Sequence, residues 1–198
     1  MRRVGTFIGM VGLCIVFLAG CGEAKLPDVV DKPAISVDRD GEVTVWQIGE
    51  FGKAYYNVAE LTSMAEQEAA DYNEEKGKEA AVTVEKVESL EGGRVAVVYH
   101  FDSWESCTDY TEETIFFGIV KQAETNGFPT GTGDVTMKSV KDGSTLTVWN
   151  ADKKILITDI KADIYCPGKV EYISEGASVN EDGSIKASEE GWTYILLK

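Results

Sequence analysis

The sequence predicts an α+β fold: mainly antiparallel sheet, with one long amphipathic helix and a short helix packed on one face. Three observations predict it. Apolar residues alternate with polar ones in many short runs. Glycine-bearing turn signals separate these runs at hairpin spacing. Only one stretch carries sustained helical spacing, and no βαβ alternation appears that would build a parallel nucleotide-binding sheet.

In chain order, "ISVDRDGEVTVWQI" sets alternating apolar residues on either side of Asp40-Gly41, a hairpin dipeptide because glycine accepts positive φ freely. Asn57 then stands where it can cap a helix, with Glu60 three residues on in a capping-box-like arrangement. Val58, Leu61, Ala65, Ala69 and Tyr72 follow as one apolar stripe, which Met64 widens, and Gly77 occupies the usual C-terminal position. Glu60, Glu66, Asp71, Glu74 and Glu75 lie off the stripe and read as a solvated face rather than a catalytic pair. From Ala80 the period changes to two. "AAVTVEKVESL" and "RVAVVYHF" flank Glu91-Gly92-Gly93, and Val95, Val97, Tyr99 and Phe101 share a face. Asp102 with Glu105 can cap a short helix carrying Trp104, Cys107 and Tyr110, and "TIFFGIV" reads as a buried strand. Past Gly127 come "DVTMKSV" and "TLTVW" around Lys141-Asp142-Gly143-Ser144, then "KILITDI", "ADIYC", "KVEYIS" and "GWTYILL", all read as short strands. Residues 35–198 are expected to form a single domain, or two subdomains dividing near 127.

The N-terminus carries a different signal. Arg2 and Arg3 precede an uncharged run from Val4 to Gly20, the layout of a secretory leader. The run is marginally short for the roughly 20 apolar residues that cross a bilayer, and it stops at Cys21 before the polar, proline-broken "GEAKLPDVVDKP". Leu18-Ala19-Gly20-Cys21 resembles the lipobox of bacterial lipoproteins. That resemblance implies a signal peptide over 1–20, cleavage between Gly20 and Cys21, and diacylglyceryl on the Cys21 thiol. Residues 21–34 would then be the lipidated cysteine and a flexible tether, and two acyl chains would meet the two-signal requirement for stable anchoring.

Of the 19 basic and 34 acidic residues, the leader takes only Arg2 and Arg3, which leaves the rest at −17. That balance argues against a nucleic-acid partner and against lying flat on anionic lipid. Besides Cys21, the body holds Cys107 and Cys166. An exported chain can oxidise such a pair, closing a loop worth about 4 kcal/mol in the chain-entropy model; two separate buried thiols fit equally, and the residues leave the choice open.

The ordered series "SVDRDGEVTVW", "YYNVAELTSMAEQEAADYN", "VTVEKVE", "IFFGIV", "DKKILIT", "CPGKVEYIS" and "YILLK" resembles a group of uncharacterised lipoproteins of clostridia-like Gram-positive bacteria. The resemblance implies a lipid-anchored protein on the outer face of the cell membrane. It brings no activity, ligand or catalytic residue, and Cys107 and Cys166 are departures from the group, so it implies nothing about their pairing.

Chemical motifs are sparse. His100 is the one histidine; with Asp102 and Cys107 a Cys–His dyad is conceivable, but His100 falls on the face opposite Tyr99 and Phe101 and reads as structural. One histidine without Cys-x-x-Cys gives no zinc pattern. "TGTGD", residues 130–134, lacks the P-loop lysine and reads as a loop. In "SVNEDGSIKASE", Asn180, Asp182, Gly183, Ile185 and Glu189 match calcium-loop positions, but Ser178 fails at the first and a strand follows. Its likeness to "SVDRDGEV" is better explained by two hairpins. Trp46, Trp104, Trp149 and Trp192 could stack on sugars if exposed; their strand and helix contexts point to the core. The expectation is a membrane-anchored, non-catalytic protein-interaction or ligand-binding module facing outside the cytoplasm, without cofactor or metal. Its partner would be a cell-envelope protein or a small ligand. The alternative is an extracytoplasmic hydrolase whose carboxylates converge only in three dimensions.

Overall fold

The computed structural model describes Ala24, Leu26, Pro27 and residues 29–198; Gly20 and Cys21, with the cleavage and lipidation expected there, lie outside the described residues. Strands β1 (Ala34–Val37) and β2 (Val43–Glu50) form the first hairpin, with Val37 opposite Val43. Its turn is organised by Asp38, whose Oδ1 accepts the backbone N–H groups of Asp40, Gly41 and Glu42 at 2.8–2.9 Å. Helix α1 (Val58–Lys76) starts at Asn57, which accepts from the Ala59 and Glu60 N–H groups, and ends at Gly77 with φ 64°. Strands β3 (Val82–Leu90) and β4 (Arg94–Phe101) form the second hairpin.

These strands and three later ones make a seven-stranded sheet in the order β10-β11-β8-β1-β2-β4-β3, where β8 is Asp163–Tyr165, β10 Ser178–Val179 and β11 Ile185–Lys186. The β1–β8 pair is parallel and the other pairings are antiparallel. A second, wholly antiparallel sheet runs β5-β7-β12-β9-β6, with β5 Ile115–Ile119, β6 Met137–Ser139, β7 Lys154–Thr158, β9 Val170–Ser174 and β12 Thr193–Leu197. Each sheet draws strands from both sides of residue 127.

The inner face of the first sheet (Ile35, Val37, Val45, Val97, Tyr99, Phe101) shares one core with Ile115, Phe117, Leu156, Ile195 and Leu197 of the second. The second sheet also buries its other face: Phe116, Ile155, Ile157, Tyr194 and Leu196 pack under helix α3 (Val120–Thr125) with Met137. Double coverage explains why "ILI" and "YILL" show no polar alternation.

Several local readings shift. The short helix α2 (Trp104–Thr111) is capped by Ser103, whose Oγ accepts the Ser106 N–H, not by Asp102; Asp102 instead holds Lys78 at 3.0 Å. The strand read over "TIFFGIV" stops at Ile119, because Val120 and Ala123 turn inward to cover the second sheet. "TLTVW" forms only a single bridge, Lys138 with Thr145. The helices do not share one face: α1 and α2 feed the core between the sheets, and α3 covers the far side. On α1 only Ala65 and Ala69 are buried, Leu61 and Tyr72 pack partly, and Met64 is 63% exposed. The helix meets the edge strand β3 along a narrow seam of small residues, so Met64 has nothing to pack against.

Candidate functional site

The residues singled out for chemistry do not converge. Cys107 on α2 and Cys166 beyond β8 are both free and both buried in the core between the sheets, and burial pushes each thiol up to about 12. His100 lies on the outer face of the first sheet, with Nδ1 3.5 Å from Thr44 Oγ1 and Nε2 3.6 Å from Glu42 Oε2. The core side of that strand separates it from Cys107, so the dyad is not assembled. The calcium-like segment is the β10–β11 hairpin, and its oxygens are already engaged: Asp182 accepts from Ser184 N–H, Ser184 Oγ–H and Tyr165 O–H, and Asn180 Nδ2 donates to Asp163 and Ser184. Burial opposes ionisation of Asp182, but those donors outweigh it and hold its carboxyl below the usual range.

What the fold does assemble is a pair of clefts around Trp192. Trp46, Trp104 and Trp149 are half-buried, whereas Trp192 is 39% exposed, contrary to the core placement expected for it. It stands in the turn immediately before β12, one residue ahead of Thr193. Its loop is held from three directions. Lys161 Nζ donates to Gly191 O at 2.7 Å, Ser188 Oγ donates to Glu190 O at 2.8 Å, and Ser188 N–H donates to Thr193 Oγ1 at 2.9 Å. The indole then stands edge-on to Phe128, 5.3 Å between centroids, at the end of a chain of rings running through Phe116 to Trp104.

On one side of Trp192 a cleft of about 540 Å³ is lined by Glu112, Glu113, Asp159, Lys161 and Gly191. Glu112 closes α2 at φ 59°, the one described non-glycine residue at positive φ, and this turn presents both glutamates to the cleft. Asp159 fixes their neighbour: its Oδ1 accepts the Thr114 N–H at 2.7 Å and its own N–H donates to Thr114 O. Partial burial, and then the charge of Asp159, raise the Glu113 carboxyl above its usual value. On the other side a cleft of about 400 Å³ has Asp134, Glu175 and Glu190 at its rim and Tyr194 in its lining. "TGTGD" is a loop as read, and it supplies Asp134.

Tyr194 is 3% exposed, and its hydroxyl finds no hydrogen-bond partner among the described residues. Burial and the charge of Asp134 push its phenol up to about 12, so it stays neutral. The six carboxylates are spread along the groove: no group of three acidic, histidine or cysteine side chains among the described residues could hold a metal ion. The one sequence signal for this place is "EEGW", a tryptophan beside glycine in an acidic turn. No protein-family model, no curated protein and no solved structure matches this chain.

Proposed function

We propose that this protein is a non-catalytic binding module, anchored by a lipid on Cys21 to the outer face of a cell membrane, with the clefts around Trp192 as its binding site. The anchor rests on Arg2 and Arg3, the uncharged run after them and the lipobox-like Leu18-Ala19-Gly20-Cys21. The binding reading rests above all on Trp192, an exposed indole clamped between two solvent-open clefts. Aromatic anchors in such positions carry much of the energy at recognition sites. Crosslinking on intact cells expressing the protein, followed by capture and peptide mapping, tests it: crosslinked peptides should include 112–114, 134 or 190–192. Recovery of the protein alone, while a control lipoprotein is crosslinked efficiently, would discard the module. Incorporation of labelled fatty acid that survives Cys21→Ala would discard the anchor.

One observation favours the rival hydrolase: Glu113 with its raised carboxyl sits near the charge of Asp159, as an acid and its companion carboxylate would. Against it, Glu113 is only partly buried, and Asp159 is already bonded to Thr114. Hydrolysis of glycosidic substrates that disappears in Glu113→Gln would establish the rival.

A further inference from the structure

The stretch expected to be a tether touches the body at two places, and these lie at opposite ends of the first sheet. At one end is Arg94, the first residue of β4, paired with Glu50. Its Nη1 donates to Asp31 O at 2.6 Å, its Nη2 stands 3.8 Å from Asp31 Oδ2, and its Nε donates to Glu91 O at 3.2 Å. A guanidinium on the carbonyl and carboxylate of one residue is a charge-assisted hold. At the other end is Gly183, in the β10–β11 turn, where Ala24 Cα lies 3.7 Å from the place a Cβ on Gly183 would take. Strand register fixes these ends. Ile185 pairs with Ile164, Ser36 with Tyr165 and Val37 with Val43, which sets Gly183 level with the turn of the first hairpin. From there β2 runs from Val43 to Glu50, about 23 Å at 3.3 Å per residue. The chain from Asp31 back to Ala24 reaches at most about 25 Å, so its two contacts leave almost no slack. Arg94 shares a face of β4 with Ala96 and Val98, opposite the core residues Val97 and Tyr99, so the segment is held on the side of the sheet that no described helix covers.

The course of this segment decides which pole of the body meets the membrane. Ala34, where β1 begins, pairs with Asp163, and Lys161 just before it lines a Trp192 cleft. Lys32 and Pro33 line a neighbouring hollow together with Lys161. A free tether would therefore leave the body beside the clefts and turn them toward the bilayer. Ala24, close in sequence to Cys21, lies instead at the far pole. We propose that the segment from Ala24 to Pro33 is a strap, pinned by Arg94, which carries the lipid attachment from the cleft pole to the β10–β11 pole, so that Trp192 faces away from the membrane. This rests on the lipid-anchor reading and adds the orientation of the body.

The test uses the lipidated protein, purified from membranes and placed in phosphatidylcholine liposomes that carry a nitroxide on their headgroups. A fluorescent label is put on Glu181→Cys, beside Gly183, or on Tyr55→Cys, just beyond β2. Both positions are exposed, and the buried Cys107 and Cys166 leave the label to the introduced thiol. Quenching should be about twofold or more stronger at Glu181 than at Tyr55, because the two labels stand at least roughly 20 Å apart along the strands and the quencher acts at contact range. Arg94→Ala should bring the two values together, since the first fixed point then moves to β1 and a coil from Cys21 to Pro33 spans about 20 Å root-mean-square. Comparing the two labels with Arg94 in place keeps the test valid if Arg94→Ala fails to fold. Equal quenching, stronger quenching at Tyr55, or a preference for Glu181 that Arg94→Ala leaves intact would overturn the strap, while flotation of the protein with the liposomes upholds the anchor. Protein that stays behind when the liposomes float would overturn the anchor and the orientation with it.

Discussion

Replacing Asn73 by alanine should unfasten the junction between α1 and the first sheet. Asn73, near the end of α1, makes a two-bonded clasp on β3: its Nδ2 donates to Val82 O at 2.8 Å and its Oδ1 accepts the Val82 N–H at 3.0 Å. Strand β3 is the edge of its sheet, and Asp102 N–H bonds Ala81 O across to β4. By antiparallel alternation the next residue, Val82, points both backbone groups away from β4. Asn73 thus substitutes for a missing neighbouring strand, at a residue that is completely buried. Each net bond is worth about 1 kcal/mol, and a buried group left unpaired costs about 1–3 kcal/mol. With some water entry at the edge, Asn73→Ala should destabilise by about 2–4 kcal/mol, lowering Tm by about 5–15 °C in a chain of this length. Urea unfolding gives the loss directly, and hydrogen exchange should show the Val82 amide losing protection. Asn57→Ala, which removes a cap at the exposed start of the same helix, should cost only about 1 kcal/mol. Asn73→Asp keeps the acceptor but sets a carboxylate against the Val82 carbonyl, so it should be as damaging at neutral pH and recover on acidification. A loss below about 0.5 kcal/mol for Asn73→Ala, with Val82 still protected, would refute the edge-clasp argument.

Three further outcomes follow from the same geometry. The folded state holds the Glu113 carboxyl above its ordinary 4.5, so its contribution to stability is present at low pH and is lost as pH rises through the folded value. Glu113→Gln should therefore raise Tm at neutral pH, with the gain fading below the ordinary value; a Tm difference independent of pH would refute this. Cys107 and Cys166 should resist alkylation at mildly alkaline pH in the native protein and both react after unfolding without reductant, as buried thiols pushed up to about 12 require; a mass unchanged by alkylation of the unfolded chain at these two residues would show them bonded. A Cβ on Gly118 would come within 2.8 Å of Gln122 Oε1 and of the Phe116 ring. Gly118→Ala should cost about 1–3 kcal/mol by urea unfolding, whereas Gly49→Ala, which meets nothing, should be neutral or slightly stabilising.

The sequence by itself determined the local punctuation. Asp40-Gly41, Glu91-Gly92-Gly93, Asn57 and Gly77 each fall where the structure turns the chain or starts or ends the helix, because these signals act between residues a few positions apart. It also determined the inward face of β4, since pleating fixes which of Val95 to Phe101 point together. Helix α3, the failure of "TLTVW" to pair and the exposure of Met64 were decided by what each segment met in space. After Thr114, "IFFGIV" carries no polar side chain, and only a second covering layer over the strands makes its end coil inward. The candidate site was illegible for the same reason. Its carboxylates come from residues 112–113, 134, 159, 175 and 190, contributed by five separate stretches of chain. No spacing rule relates them. Their nearness exists only once β12 lies between β7 and β9 and carries Trp192 out at its end.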